Sequence, residues 1–319
     1  MQVLVTGANG LVGAALLRRI ASEPTAQPVA GVRELASSNL LYEQRAIGDL
    51  AERRVAAAVL RGVDVVVHAA ARVHVMQERE HDPLAAFRAV NVEGTRAMLE
   101  AAAEAGVRRF VLVSSIKVHG EISLQGKPFS ENDAANPQDA YARSKWEAEQ
   151  LVQAFCERHG MEWVVVRPPL VYGPGVRANF RRMMLALGRG LPLPVGALHN
   201  RRSLVALENL VDFLFCCVSH PSAANHRFLV SDGQDLSVAE LSRKLAAALG
   251  SCSWLVPLPR AWLSAMLNLT GRGAAAQRLC GELRVDSSKA QTLLGWQAPL
   301  GVDDALSSAV QDFLREGEQ

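Results

Sequence analysis

Short runs of Val and Leu alternate with longer amphipathic stretches along the first half of the chain. The runs contain few polar residues, which is typical of strands covered on both faces of a parallel sheet. The predicted strands are Gln2–Thr6, Pro28–Val32, Asp64–His68, Arg109–Ser114 and Glu162–Arg167. The stretches predicted to be helical are Leu11–Ser22, Leu50–Leu60, Leu84–Gly106 and Gln138–His159. This alternation predicts an α/β fold built on a doubly wound parallel sheet.

The pattern changes after Arg167. The segment that follows is rich in Gly, Pro and Arg, with one short helix predicted near Asn179–Leu187. We therefore expect one domain over residues 1–168 and a smaller C-terminal lobe over residues 169–319. The chain is predicted to return to the first sheet near residues 203–231, around Ser203–Val218 and Phe228–Ser231.

Charge and hydropathy restrict the partners. The chain has 319 residues with 34 Lys and Arg against 32 Asp and Glu, and its formal net charge of +2 gives no electrostatic reason to expect nucleic acid. No apolar run is long enough to span a bilayer without a charge or a proline, so no membrane span is expected. The apolar stretch Trp254–Leu269 is predicted to pack inside the smaller lobe. A peripheral membrane contact is the alternative, disfavoured because the stretch lacks a basic polar face.

The N-terminal segment and the cysteines indicate the compartment. The opening MQVLVTG has no basic region ahead of its apolar run, so no secretory signal is predicted. The five cysteines are an odd number and none has C-x-x-C spacing. We therefore expect a cytoplasmic protein with reduced thiols and no metal site.

Three glycines stand between the first predicted strand and the first predicted helix. Gly7, Gly10 and Gly13 follow G-x-x-G-x-x-G spacing. Glycine allows a tight turn and a close approach of the backbone to a pyrophosphate, whose charge the free N–H groups at a helix N-terminus receive. This placement predicts a dinucleotide site that includes Leu11 and Val12, the first residues of the helix.

The end of the second predicted strand bears on the choice of dinucleotide. Arg33 stands where NAD-binding proteins of this type carry an acid that holds the ribose 2′-hydroxyl. An arginine can pair with a 2′-phosphate, which favours NADP(H) over NAD(H), although the adjacent Glu34 weakens the inference. The alternative is an exposed surface arginine. Asp49, beside Leu50, could accept a hydrogen bond from the adenine amino group or cap the next helix.

A tyrosine, a lysine and a serine are the candidate catalytic residues. Tyr141 and Lys145 are four residues apart at the start of a predicted helix, so they share one face. A cation beside the phenol would lower its pKa towards the working range, where it can exchange a proton. Ser115 follows a predicted strand, where parallel sheets place their ligands. A coincidental surface pair is the alternative for the tyrosine and the lysine.

These motifs, with the later segment RPPLVYGPG, resemble the extended short-chain dehydrogenase/reductases that act on nucleotide sugars. The resemblance implies a Rossmann-type domain, a smaller C-terminal substrate lobe, and Ser115, Tyr141 and Lys145 as the catalytic residues. It also implies homodimers paired through helices Leu84–Gly106 and Gln138–His159. The further cofactor residues it implies are Ala69, Ala70, Asn91, Ser114 and Pro168. The substrate residues it implies are Asn179, Arg202 and Asp286, the last of which could equally cap a helix.

The residues that follow the serine narrow the reaction. Family members that dehydrate the sugar carry Asp-Glu directly after the catalytic Ser or Thr, whereas this chain has Ile116 and Lys117. The string Ser114–Val118 and neighbouring segments look most like bacterial UDP-sugar 4-keto reductases of surface-polysaccharide pathways. We therefore predict reduction of a UDP-linked 4-keto-6-deoxy sugar. A UDP-hexose or UDP-N-acetylhexosamine 4-epimerase is the alternative, and a non-catalytic nucleotide-binding sensor is a distant one.

Overall fold

A computed structural model describes residues 1–35, 42–73, 81–252, 254–271 and 273–317. Its strands are β1 (Gln2–Thr6), β2 (Gln27–Val32), β3 (Glu43–Ala46), β4 (Val65–His68), β5 (Arg109–Val113), β6 (Glu162–Arg167), β7 (Leu170–Tyr172), β8 (Leu204–Ala206) and β9 (His226–Leu229). Its helices are α1 (Leu11–Ala21), α2 (Pro83–Arg88), α3 (Gly94–Glu104), α4 (Ala140–His159), α5 (Ala178–Gly188), α6 (Leu207–Ser219), α7 (Val238–Ala248), α8 (Arg260–Leu269), α9 (Gly273–Cys280), α10 (Ser288–Leu294) and α11 (Val302–Gly317).

Seven strands form one sheet in the order β3-β2-β1-β4-β5-β6-β9. Every neighbouring pair is parallel, and Val5 of β1 lies between Ala30 of β2 and Val67 of β4. Strand order reverses direction at β1, which is the arrangement of a doubly wound sheet. The predicted α/β fold class is confirmed.

The sheet is covered on both faces, and this explains the apolar runs in its strands. Val3 and Val5 pack towards α1 and α6, whereas Leu4 between them packs towards α3 and α4. Because successive side chains of a strand point to opposite faces, a strand buried on both sides can hardly place a polar residue anywhere along it.

Two helical predictions need correction. Leu50–Leu60 is not one helix but two 3₁₀ turns, Leu50–Glu52 and Ala57–Leu60, because Arg53 adopts a left-handed conformation with φ 59° that ends the first turn. Leu84–Gly106 is helical, but a π-helical turn at Ala89–Glu93 separates α2 from α3. That turn carries the buried Asn91.

The return to the main sheet also differs from the prediction. Ser203–Val218 does not join it, because β8 pairs with β7 in a separate two-stranded sheet and α6 follows directly. The strand that does return is β9, which pairs with β6. A separate apolar cluster beneath the small sheet joins β7 and β8 to α5, α7 and α11. The division of the chain at residue 168 stays a prediction.

The packing predicted for Trp254–Leu269 is only partly confirmed. Leu263 is buried and Leu255, Leu258 and Leu267 pack against the same cluster, whereas Trp262, Met266 and Leu269 are exposed. In the part of the chain that the structure describes, no helix is long and apolar enough to cross a membrane.

Candidate active site

The glycine loop has the geometry that the spacing predicts. Gly7 has φ +68°, and a Cβ there would lie 2.9 Å from the backbone nitrogen of Ala70. A Cβ on Gly13 would lie 2.2 Å from the carbonyl oxygen of Gly7. The loop can therefore hold its path against Ala69 and Ala70 only without side chains at these two positions.

A buried histidine fixes the strand end that faces this loop. Thr95 Oγ1 donates to a backbone carbonyl, so it accepts from His68 Nε2 over 3.2 Å. The neutral ring therefore accepts at Nδ1 from the Thr6 hydroxyl, 2.9 Å away, and Thr6 Oγ1 also accepts from the Ala70 amide over 3.1 Å. Burial, with Lys145 nearby, lowers the pKa of His68 to about 3. His68 is thus a neutral, hydrogen-bonded core residue.

Asn91 joins the loop after β4 to the helix that carries the tyrosine. Its side-chain oxygen accepts from the Arg72 amide over 2.8 Å, and its nitrogen donates to the Arg72 carbonyl over 3.0 Å. The same nitrogen donates to Ser144 Oγ over 2.9 Å. The Asn91 side chain, predicted to line the cofactor site, therefore connects the loop after β4 to α4.

Arg33 and Asp49 lie together beyond the ends of β2 and β3. The Arg33 side chain is 71% exposed and its Nε lies 3.5 Å from Asp49 Oδ2. Asp49 Oδ1 accepts from the Ala51 amide, which caps the 3₁₀ turn that starts at the buried Leu50. For both residues the structure thus shows the alternative that the sequence left open: Asp49 caps a helical turn, and Arg33 is an exposed surface arginine.

The three candidate catalytic residues lie at the carboxyl edge of β5 and at the start of α4. Ser115 caps a 3₁₀ turn at Ile116–Val118, and the Ile116 amide donates to the Pro168 carbonyl over 3.0 Å. Tyr141 packs edge-on against Phe87 with ring centroids 6.0 Å apart, and it shares a hydrogen bond with Ser115. The structure therefore brings the serine and the tyrosine together.

Desolvation disfavours the charged forms of both Tyr141 and Lys145. Burial raises the pKa of Tyr141 to about 12, with the Ser115 hydrogen bond opposing the rise. Burial lowers the pKa of Lys145 to about 8, with Glu149 opposing the fall. The expectation that Lys145 brings the phenol pKa towards neutrality is therefore wrong for the protein alone, because desolvation dominates at both groups.

Lys117 has a role that its sequence position did not reveal. Its ammonium lies 2.8 Å from Asp139 Oδ2 and 2.8 Å from Glu121 Oε1. Asp139 Oδ1 accepts from the Ala142 amide over 2.7 Å and so caps α4 two residues before Tyr141. Lys117 therefore fixes the turn after the serine to the start of α4, the helix that carries Tyr141.

A buried ionic network lies behind the serine. The Ser114 hydroxyl donates to Glu149 Oε1, and Arg167 pairs with the same carboxylate. Arg167 Nη1 donates to His119 Nε2 over 2.7 Å, and burial followed by the charge of Arg167 lowers the pKa of His119 to about 4. The Ser114 hydroxyl, predicted to contact the cofactor, is thus bonded to a buried carboxylate of the protein itself. The sequence feature that could have indicated Glu149 is its spacing, four residues after Lys145 on the same helix.

The three predicted substrate residues are differently placed. Arg202 Nη1 donates to the carbonyls of Arg278 and Gly281, at 2.8 and 3.0 Å, and burial lowers its pKa. Asn179 is exposed on the first turn of α5. Asp286 is exposed, and its Oδ1 accepts from the Ser288 amide, which is the capping role left open for it.

A line of ion pairs leads from the start of α4 to α9. Glu121, which pairs with Lys117, also lies 3.3 Å from Arg278 through its other oxygen. Since Arg202 donates to the Arg278 carbonyl, the candidate substrate arginine is joined to the start of α4 through four charged residues, Arg278, Glu121, Lys117 and Asp139. No group of three or more His, Cys, Asp or Glu within the described ranges could hold a metal ion.

Comparison with known proteins decides the family. Residues 3–231 match the NAD dependent epimerase/dehydratase family. The chain belongs to this family. The predicted resemblance is thereby confirmed, and the chain is an epimerase/dehydratase-type enzyme that uses NAD or NADP.

Individual relatives of this family member match over almost their whole length. A UDP-glucose 4-epimerase of Vibrio cholerae is 40% identical over 316 residues, covering 98% of this chain and 95% of the relative. The structure of a Thermotoga maritima UDP-glucose 4-epimerase with UDP-glucose shares the fold, with a TM-score of 0.80 at 20% identity and 100% of both chains covered. MoeE5 in complex with UDP-glucose and NAD gives a TM-score of 0.77 at 25% identity, again over 100% of both chains.

The family implies a bound dinucleotide, and the residues at the glycine loop fit one. Helix α1 begins at Leu11 with no side-chain cap at Gly10, so its first amides are not satisfied by a side chain. At Gly7 and Gly13, the atoms nearest to the position of a Cβ all belong to the backbone. These are the requirements for binding a pyrophosphate at a helix N-terminus.

Proposed function

We propose that the chain is a UDP-hexose or UDP-N-acetylhexosamine 4-epimerase that keeps NAD bound during turnover. The observation that carries the proposal is the 40% identity to the Vibrio cholerae UDP-glucose 4-epimerase across nearly the whole of both chains. The hydrogen-bonded pair of Ser115 and Tyr141 at the carboxyl edge of the sheet supports it, since proton exchange at a sugar hydroxyl needs such a pair.

In the proposed reaction Tyr141 takes the proton of the sugar 4-hydroxyl and later returns it. Ser115 holds the same oxygen in line by a second hydrogen bond. When bound, the nicotinamide supplies a hydride acceptor at C4 of the sugar and a positive charge near the phenol. Because the phenol pKa is about 12 in the protein alone, Tyr141 needs that charge and the Lys145 ammonium to lose its proton near neutral pH.

The remaining predicted residues position the two ligands. Gly7, Gly10 and Gly13 hold the pyrophosphate of the dinucleotide with the first amides of α1. Arg202 lies beside the α9 carbonyls and supplies a cation for the diphosphate of the sugar nucleotide, for which the planar guanidinium is suited. Ile116 and Lys117 offer no acid–base pair for dehydration, since Lys117 is engaged by Asp139 and Glu121.

Arg33 favours a second candidate, reduction of a UDP-linked 4-keto-6-deoxy sugar with NADPH. Its largely exposed guanidinium beyond β2 could exchange the 3.5 Å contact with Asp49 for a 2′-phosphate. A reductase must exchange its coenzyme in every cycle, whereas an epimerase regenerates it without release. Coenzyme retention therefore separates the two candidates.

The test is to denature freshly purified protein and identify the nucleotide released by chromatography and mass spectrometry. We expect close to one NAD⁺ per chain, together with interconversion of UDP-glucose and UDP-galactose, or of their N-acetyl counterparts, without added coenzyme. Protein that releases no nucleotide and oxidises NADPH with a UDP-4-keto-6-deoxy sugar would establish the reductase instead.

A further inference from the structure

Helix α8 exposes a continuous apolar surface. Trp262, Met266 and Leu269 are 73%, 49% and 88% exposed. With about 100° between successive residues of a helix, these three positions and Ala265 lie within an arc of roughly 100°. We call these four residues the α8 apolar face. The buried Leu263 and the partly buried Leu267 lie on the other side and pack on the small cluster with Val195 and Cys280.

The composition of the α8 apolar face is unusual for a surface that is exposed to solvent. A single exposed leucine needs no explanation, but a tryptophan, a methionine and a leucine exposed together on one helix do. Trp254, in the segment before α8, is also 73% exposed. Tryptophan is the side chain that favours the interface between lipid and water, because one end of its ring system is apolar and the other donates a hydrogen bond.

The sequence segment that contains α8 has basic residues and no acidic ones. Between Glu240 and Glu282 the sequence has no Asp or Glu, and its charged residues are Arg243, Lys244, Arg260, Arg272 and Arg278. Arg260 at the start of α8 is exposed, and it forms no ion pair with a carboxylate of the described residues. Lys244 and Arg278 are paired with Asp303 and Glu121, so the charge argument depends on Arg260, which adjoins the apolar residues of α8.

The α8 apolar face adjoins the candidate substrate region. Arg260 lines a cavity of about 490 Å³ with Ile122, Asn200 and Cys280. Asn200 Nδ2 and Arg202 Nη1 both donate to the Gly281 carbonyl, over 2.8 and 3.0 Å. Arg202, the proposed diphosphate-binding arginine, therefore shares a hydrogen-bond acceptor with Asn200 in the wall of a cavity that α8 borders.

We propose that the α8 apolar face docks on the surface of an anionic phospholipid bilayer. Trp262, Met266 and Leu269 enter the boundary between headgroups and acyl chains, and Arg260 meets lipid phosphates beside them. The ten-residue helix lies in the plane of the surface and does not cross it. Docking places the cavity beside the bilayer, so the enzyme works on sugar nucleotides at the membrane surface.

The test is co-sedimentation with vesicles of phosphatidylglycerol and phosphatidylcholine, and with vesicles of phosphatidylcholine alone. We expect binding to the anionic vesicles that weakens with added salt, and much weaker binding to the neutral ones. The triple variant Trp262→Ser, Met266→Ser, Leu269→Ser should lower the partition coefficient at least about tenfold. Arg260→Gln should lower it about fivefold on anionic vesicles only.

The matched control is Leu314→Ser, which removes an exposed leucine from α11 and should bind vesicles like the wild type. Because all the substituted residues are exposed, circular dichroism and vesicle-free turnover of the triple variant should match the wild type. Failure of the wild type to bind anionic vesicles, equal binding to neutral ones, or unchanged binding of the triple variant would overturn the proposal. A dimer that only the triple variant loses, without vesicle binding, would assign the face to a second copy of the chain. Since the readout is binding, the result does not depend on which sugar is the substrate.

Discussion

The two halves of the candidate site are built in different ways. Around β1 the site is made of backbone: Gly7 and Gly13 leave no room for a Cβ, and the α1 amides face outward uncapped. Around β8 it depends on long side chains, and Arg202 is already bonded to two carbonyls while Asn179 is exposed. A ligand site made of backbone can be recognised from glycine spacing, whereas one made of side chains depends on tertiary partners that the sequence does not show.

The largest effect is expected where the two halves meet, at Tyr141. Tyr141→Phe removes the proton donor and keeps the ring against Phe87. Turnover should fall at least about 100-fold with little change in nucleotide binding. Steady-state kinetics with a fluorescence titration of NAD measure both. The control is Tyr42→Phe, at a half-buried tyrosine outside the candidate catalytic residues. Near-normal turnover of Tyr141→Phe would show that Tyr141 takes no part in the reaction.

The backbone half should tolerate no added side chain. Gly13→Ala puts a Cβ 2.2 Å from the Gly7 carbonyl oxygen, so the loop must shift. We expect dinucleotide affinity to fall at least about tenfold and stability to fall by about 1–3 kcal/mol. Gly188→Ala on α5 is the matched control, because a Cβ there meets nothing within 4 Å. Equal calorimetric binding and melting of the two variants would show that the close approach at Gly13 is not needed.

The side-chain half should show its effect in substrate affinity. Arg202→Lys keeps the charge but cannot reproduce the planar donor pair, so KM for the UDP-sugar should rise about tenfold with kcat changed less than about twofold. Asp286→Asn keeps an oxygen that can accept from Ser288, and it should change KM less than about twofold. If Arg202→Lys lowers only the melting temperature, then this arginine is purely structural.

The smallest effect concerns the buried histidine beside the glycine loop. The pKa of His68 is about 3 in the folded protein against 6.5 for an exposed histidine, so the unfolded chain binds the extra proton between these values. Stability is therefore full above pH 6.5 and decreases as the pH falls, with His68 contributing roughly 2 kcal/mol of the loss at pH 5. Between pH 7 and pH 5 the melting temperature should decrease less for His68→Gln than for the wild type or His199→Gln. Equal decreases in all three proteins would exclude His68 as the cause of the pH dependence.

The sequence was sufficient for most strands of the main sheet and insufficient for the charged contacts. The bounds of β1 and β6 follow from their apolar runs, because burial on both faces leaves a pattern that needs no partner to interpret. The break at Arg53 depends on one left-handed residue that could be any of several in that stretch. The pairing of Lys117 with Asp139 could not be predicted, since these two residues, 22 positions apart, meet only after the sheet has formed.

The position of β9 has a consequence for synthesis of the chain on the ribosome. Strand β6 receives its outer neighbour only when His226–Leu229 emerges, after β7, α5, β8 and α6 have been made. Until then the nascent sheet presents Val164–Arg167 as an open, strongly apolar edge. Chains stopped at Ala224 should therefore aggregate, and light scattering of that truncation against full-length protein measures it. Pairing of β9 with β6, late in synthesis, thus covers the β6 edge and prevents it from pairing with other unfinished chains.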